Sequence, residues 1–226
     1  MLFAFDCDGV LVDSEIIASQ VDAELFTRSG YQITASEVSR RFAGLTSRAI
    51  HDIVEKEIGR PLPASYMEEQ TAMLDGRLAR ELKAVPGLTE LLEKIEGRPR
   101  CICSNSSTDR LRIELDKTRL WDKFAPNIFS AVEVGDQKPK PAPNVYAYAA
   151  QAMGFAPRDV LVLEDSVFGV HAAKAAGCRV LGFTGGSHTW PGHADLLTEA
   201  GAETVIRRFA ELPQIAEAVM SWEGLD

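Results

Sequence analysis

Long apolar runs, paired cysteine motifs and a surplus of basic charge are all missing from this sequence, and each absence excludes a class of protein. No stretch approaches the ~18 consecutive apolar residues of a membrane-spanning helix, so no membrane partner is expected. The chain opens Met1-Leu2-Phe3-Ala4-Phe5 without a basic residue and runs into acids at Asp6, Asp8, Asp13 and Glu15. That order does not suit a secretory signal, and the expectation is a cytoplasmic protein. The four cysteines (Cys7, Cys101, Cys103, Cys178) include no CxxC pair and read as buried free thiols of a reducing compartment. Lys and Arg number 24 against 33 Asp and Glu, a formal net charge of −9. Holding nucleic acid needs a basic surface, so no nucleic-acid partner is expected. A small anionic substrate remains compatible, because a few local cations and a metal reverse the sign inside one cleft.

What is present is ordinary globular composition: 46% hydrophobic residues, 25% charged, 17 Gly and 11 Pro in 226 residues. Disorder, collagen and coiled coil are excluded, and the length suits one large domain or one domain carrying a smaller insertion. No internal repeat or low-complexity segment stands out, and nothing in the sequence specifies an oligomeric state.

Short apolar runs recur at Leu2 to Phe5, Arg100 to Cys103, Ile128 to Val132, Val160 to Leu163 and Arg179 to Phe183. Runs of this length, bounded by turn residues, suit strands buried on both faces, as in a parallel sheet. Helical patterns lie between them: Leu88, Leu91, Leu92 and Ile95; Val145, Tyr148, Ala149 and Ala152; and a small-residue helix ending at Gly177. Alternating strand and helix predicts a doubly wound α/β fold with a parallel, Rossmann-like sheet. Residues 15–82 break the rhythm. Ile17, Val21 and Leu25, then Ile50, Val54 and Ile58, recur at helical spacing with no convincing strand run. The expected organisation is a core of residues 1–14 and 83–226, resuming near Val85-Pro86-Gly87, with an inserted α-helical cap at 15–82. An insertion directly after the first strand overhangs that strand's carboxyl end, where open α/β sheets bind ligands.

Four segments stand at such ends: Asp6-Cys7-Asp8-Gly9-Val10, Ser104-Asn105-Ser106, Lys140 within Lys138-Pro139-Lys140-Pro141-Ala142-Pro143, and Glu164-Asp165-Ser166. Singly, each has an unremarkable explanation as a turn, a helix cap or a solvated loop lysine. Together they place several carboxylates at one sheet edge, where they repel unless a cation joins them. Carboxylate oxygens select a hard divalent ion, Mg²⁺ first.

The set Asp6-x-Asp8-Gly9-Val10, Ser104-Asn105, Lys140-Pro141-x-Pro143 and Glu164-Asp165-Ser166 resembles the four motifs of the haloacid-dehalogenase-like hydrolases. The branch it looks most like is that of helical-capped phosphatases and β-phosphoglucomutases. The resemblance extends over essentially the whole chain, including Asp13-Ser14-Glu15 and Gly169…Ala172-Ala173…Ala176-Gly177. It implies Asp6 as a nucleophile forming an aspartyl-phosphate and Asp8 as general acid and then base. It implies Mg²⁺ on Asp6, the Asp8 carbonyl and Asp165, with Glu164 either a direct ligand or one step removed. Ser104, the Asn105 backbone N–H and Lys140 would hold phosphoryl oxygens.

The same resemblance separates the branches. Halide displacement has no use for Asp8. The mutase branch has a histidine where this chain has Ala18, and Arg48 is shifted from the position of its phosphate-gripping arginine. A phosphonatase needs a lysine in the first cap helix, and none is there. The expectation is a phosphatase for a small phosphorylated metabolite, a sugar or sugar-acid phosphate. The alternatives are a hexose-phosphate mutase and, less favoured, a non-catalytic binding module. Thr46, Ser47 and Arg48 are the candidate substrate contacts from the insertion. His188 and His193 fit no metal spacing and read as surface or rim residues, and Gly185-Gly186 as the turn after the last core strand.

Overall fold

The computed structural model describes residues 1–42, 45 and 47–222, with side chains through residue 218. Among these, six strands form one sheet: β1 (Leu2–Phe5), β2 (Arg100–Ser104), β3 (Ile128–Ser130), β4 (Val160–Glu164), β5 (Arg179–Phe183) and β6 (Thr204–Ile206). Their order is β3-β2-β1-β4-β5-β6, every pair parallel. The chain winds outward from β1 through β2 to β3, then returns to the other side of β1 as β4. That reversal opens a crevice between the carboxyl ends of β1 and β4.

Alternation along the strands feeds two cores. Phe3, Phe5, Ile102, Leu161, Leu163 and Phe183 face one side of the sheet, while Leu2, Ala4, Cys101, Cys103, Val162 and Val180 face the other. On the first side lie α5 (Leu88–Lys94), α6 (Thr108–Lys117), α7 (Trp121–Phe124) and α11 (Leu212–Trp222). On the second lie α8 (Asn144–Met153), α9 (Val167–Ala175) and α10 (His193–Glu199). Helices cover both faces, which explains why the strands read as continuous apolar runs.

Between β1 and α5 come four helices: α1 (Ser14–Arg28), α2 (Ala35–Phe42), α3 (Ser47–Ile58) and α4 (Tyr66–Glu81). The residues at helical spacing, Ile17, Val21, Leu25, Ile50 and Val54, are all buried with Leu74 and Leu78 of α4. Phe26 stacks on Tyr66 at 5.2 Å, closing α1 on α4. Full burial of each such aliphatic side chain contributes about 1.5–3 kcal/mol. The chain enters and leaves this helical segment along adjacent paths. Val85 N donates to Leu11 O and Asp13 N to Lys83 O, both at 3.0 Å, and Val12 bridges Ala84 in antiparallel sense.

Four local expectations change. The third strand stops at Ser130, because Glu133 N and Val134 N both turn back to Ser130 O, leaving Val132 exposed. The anticipated resumption near Val85 is a single bridge, not a strand, since Gly87 at φ +86° starts α5 directly. Ser107 caps α6, so the alternative explanation of Ser104 to Ser106 as a helix cap falls away. Gly185-Gly186 does not follow the last strand, because β6 lies beyond it; its three residues are too short to show a period. Cys101 and Cys103 do share a strand face, their sulfurs 3.9 Å apart, and all four cysteines are free and buried.

Candidate active site

Asp6 follows β1 directly, and its N–H still donates to Leu163 O of β4 at 3.0 Å, so its carboxyl stands at the switch point. Beyond it the chain turns tightly: Leu11 N and Val12 N both donate to Cys7 O, and Gly9 N donates to Val12 O. Gly9 sits at φ +75°, and a Cβ there would come within 2.0 Å of Asp165 Oδ2. Only glycine lets this turn pass so close to the end of β4.

Lys140 arrives from the loop after β3. Its backbone N–H donates to Asn105 Oδ1 at 2.8 Å, which ties that loop to the end of β2. Its ammonium is buried and bonds Asp6 Oδ1 and Glu164 Oε1, both at 2.6 Å. Glu164 is fully buried and saturated. Tyr146 donates to Oε1 at 2.8 Å, while Ser166 donates to Oε2 through its N–H and hydroxyl. Ser166 in turn caps α9 by accepting from Gly169 N, whose residue has no Cβ to strike Glu164.

Asp8 points to the other side of the crevice. Its Oδ1 accepts from Ser14 at 2.6 Å, and its Oδ2 from Ser106 at 2.9 Å and Ser104 at 3.3 Å. Asp165 pairs through Oδ2 with His188 Nε2 at 2.9 Å, and its backbone carbonyl meets His193 Nε2 at 2.7 Å.

The electrostatics follow from this crowding. Burial pushes the Asp6 carboxyl well above its ordinary value; Lys140 opposes the shift, while Glu164, Asp165 and Asp8 add to it. Burial works against the Lys140 ammonium, but Asp6 and Glu164 outweigh it and hold the charge firmly in place. Burial likewise disfavours charged His188, yet the bond to Asp165 and the nearby acids push it up to about 9. Glu15, above the same crevice, is raised to about 7 by burial.

Asp6, Glu164 and Asp165 each offer an oxygen within 4.8 Å of the others. Hard oxygen donors, more carboxylates than the Lys140 ammonium and the His188 imidazolium balance, and a glycine cradle against Asp165 together fit a divalent cation such as Mg²⁺.

Asp6, Asp8, Ser104, Asn105, Lys140 and Asp165 all line one cavity of about 360 Å³ that extends under α1 to α4, within the range of small-molecule sites. Glu164 lies behind its wall, bonded to Lys140. Of the candidates from the helical insertion, Ser47 lines the cavity. Arg48 is 69% exposed and paired with Asp52, away from it, and Thr46 lies outside the described residues.

His188 and His193 correct the expectation of rim residues, for both are buried against Asp165. Asp13 accepts from the Ser187 N–H at 2.9 Å and from its hydroxyl, fixing the loop that carries His188. The one hint in the sequence was that both histidines follow β5 at the same sheet edge. Ser14 and Ser106, which bond Asp8, stand inside the quoted segments Asp13-Ser14-Glu15 and Ser104-Asn105-Ser106, but the sequence assigned neither a role.

Residues 3–183 match the family described as haloacid dehalogenase-like hydrolase. The chain belongs to that family. It is 32% identical to a 6-phosphogluconate phosphatase of Escherichia coli K12 over 192 residues, 83% of this chain and 84% of the relative. It superposes at a TM-score of 0.92, with 50% identity, on a haloacid dehalogenase-like protein of unknown function from Agrobacterium tumefaciens C58, covering 97% and 98% of the two chains. A hydrolase of the family from Deinococcus radiodurans R1, solved with bound phosphate and sodium, matches at 0.82 and 30% identity, covering 96% and 95%. This haloacid dehalogenase-like chain is an enzyme, a hydrolase of phosphoric monoesters. Among its described residues no helix is long and apolar enough to cross a membrane.

Proposed function

We propose that this hydrolase is a Mg²⁺-dependent phosphatase of a small phosphorylated metabolite, acting through a phosphorylated Asp6. The observation that carries the reading is the meeting of two carboxylates in different surroundings, Asp6 and Asp8, with Lys140 and Asp165 around one cavity at the switch point.

In this reading an Asp6 oxygen attacks phosphorus while the bond from phosphorus to the leaving oxygen breaks. Asp8 gives that oxygen its proton, and then takes one from the water that attacks the phosphorylated Asp6 and releases inorganic phosphate. Ser14, Ser104 and Ser106 orient Asp8 for both transfers, since three hydroxyls hold its two oxygens. Lys140 fixes one oxygen of Asp6 and, with Ser104 and the Asn105 N–H, would receive charge spreading over the phosphoryl oxygens. Mg²⁺, held by Asp6, Asp165 and the Asp8 backbone carbonyl, would neutralise phosphoryl charge there. We assign Glu164 to anchoring Lys140 rather than to the metal, because Lys140, Tyr146 and Ser166 already occupy its oxygens.

Residues 15–82 would act as the cap over a core of 1–14 and 83–226, with the paired paths at Val12 and Ala84 as the joint. The phosphate in the Deinococcus structure and the activity named for the E. coli relative support a phosphoryl site and a phosphorylated metabolite. Ala18 lines the cavity and offers no acid or base, which disfavours the mutase reading.

Purified protein is expected to hydrolyse p-nitrophenyl phosphate with Mg²⁺ and to lose that activity in chelator and in Asp6→Asn. Retained hydrolysis in Asp6→Asn would remove Asp6 from the reaction.

A further inference from the structure

We infer that the helical wall of the cavity selects a substrate whose leaving group is an uncharged polyol, the phosphoryl being its only anionic group. The inference rests on the phosphatase reading and narrows its substrate class.

The wall beyond Asp8 is built from buried hydrogen-bonding groups, not from charges awaiting an anion. Ser19 and Asp22 of α1, Ser39 of α2 and Gln70 of α4 all face the cavity and are at least nine-tenths buried. Ser39 donates to Ser19 at 2.8 Å, which leaves the Ser19 hydroxyl proton for another acceptor. Gln70 Nε2 donates to Asp22 Oδ1 at 3.1 Å and reaches Ser47 Oγ at 3.5 Å. Side-by-side donors and acceptors of this kind match vicinal hydroxyls, each of which both gives and takes a hydrogen bond.

The cationic groups of the lining, Lys140, His188 and Arg110, each already have a carboxylate partner. Lys140 is held by Asp6 and Glu164, and His188 by Asp165. Arg110 Nη2 lies 2.7 Å from Asp75 Oδ1 of α4, and both ring nitrogens of His193 have partners. No lining residue on α1 to α4 is basic, among the described residues. Residues 43, 44 and 46 are Ala, Gly and Thr and bring no charge wherever they lie.

Carboxylates, by contrast, crowd the space. Glu15 and Asp22 line it, as does buried Glu114 of α6. A carboxylate or second phosphate on the substrate would be buried beside these acids with no unpaired cation to meet it. Burying a second anion without a free cationic partner corresponds to a loss on the order of 30-fold in affinity or more. The 6-phosphogluconate phosphatase of E. coli is named for a sugar acid. The wall described here points to a different preference despite the shared family.

A hexitol 6-phosphate and 6-phosphogluconate share a carbon skeleton and differ in whether C1 is a hydroxymethyl or a carboxylate. Their affinities are to be measured by calorimetry on the full-length Asp6→Asn chain with Mg²⁺, so that neither ligand turns over. The hexitol phosphate is expected to bind about 30-fold tighter, and Gln70→Lys in the same chain to narrow or reverse the ratio. Equal or tighter binding of 6-phosphogluconate to the parent would overturn the inference, as would failure of both ligands to bind. The parent comparison stands even where Gln70→Lys does not fold. Wild-type hydrolysis of p-nitrophenyl phosphate separates the two levels: selective binding without hydrolysis refutes the catalytic reading alone, and hydrolysis without selectivity refutes the substrate class alone.

Discussion

Replacing Lys140 by methionine removes the one ammonium that two buried carboxylates share. Lys140 reaches Asp6 and Glu164 at 2.6 Å each, and Glu164 has no exposure to water. Breaking a buried pair from one side costs about 3–5 kcal/mol, because the partner's charge is left uncompensated. In a chain of this size that corresponds to a fall of about 6–20 °C in Tm at pH 8. The loss must also depend on pH in a definite direction. Burial already holds Asp6 above its ordinary value against the pull of Lys140, so without Lys140 it rises further. An acid whose folded value exceeds its unfolded one contributes stability that is present below the unfolded value and lost as pH rises through the folded one. The deficit of Lys140→Met is therefore small near pH 5 and grows toward pH 8. Thermal unfolding of the full chain in chelator at both pH values reads it, with Lys138→Met, at an exposed neighbour, as the control. Added Mg²⁺ should recover part of the loss at pH 8, by binding the folded state. A pH 8 deficit no larger than that of Lys138→Met, or one that does not shrink at pH 5, would refute the reasoning.

Gly9→Ala combines a left-handed backbone, about 1–2 kcal/mol for an ordinary residue, with a Cβ 2.0 Å from Asp165 Oδ2. It should lower Tm and abolish the rise in Tm that Mg²⁺ gives the parent; an undiminished Mg²⁺ response would disconnect Asp165 from the metal. Burial raises Asp22 to about 6, against the pull of its bond from Gln70, so folding takes up a proton and stability is lost as pH climbs from about 4 through 6. Asp22→Asn removes that loss, gaining up to about 3 kcal/mol on the parent between pH 4 and pH 8 in urea unfolding. A gap that closes as pH rises would reverse the sign of the argument.

The core was legible because strands buried on both faces must be apolar throughout, and five such runs in order leave few topologies. Asp6, Ser104 and Asp165 could be placed at one edge because parallel strands bring all their carboxyl ends together. β6 escaped, since Thr204-Val205-Ile206 is an edge strand of three residues with no pattern to detect. His188 and His193 escaped for a different reason. Their burial depends on the close passage of Gly9 and Gly186, where a Cβ on Gly186 would lie 2.7 Å from Gly9 O, and that contact joins distant segments. Arg48 illustrates the converse. Its charge suggested a substrate contact, but its i,i+4 partner Asp52 holds it on the outer face of α3. The wall that faces the cavity is instead serine and glutamine, residue types that attract no notice in a sequence.

The central claim is that Asp6 carries the phosphoryl group during turnover, and the Asp8→Asn chain tests it most directly. p-Nitrophenolate leaves without needing a proton, so the first transfer should proceed in this variant while the second, which needs a base, stalls. Acid quenching after mixing with p-nitrophenyl phosphate and Mg²⁺, followed by mass spectrometry, is predicted to find one phosphoryl group on the peptide containing Asp6. Release of nitrophenolate with that peptide unmodified would contradict the account.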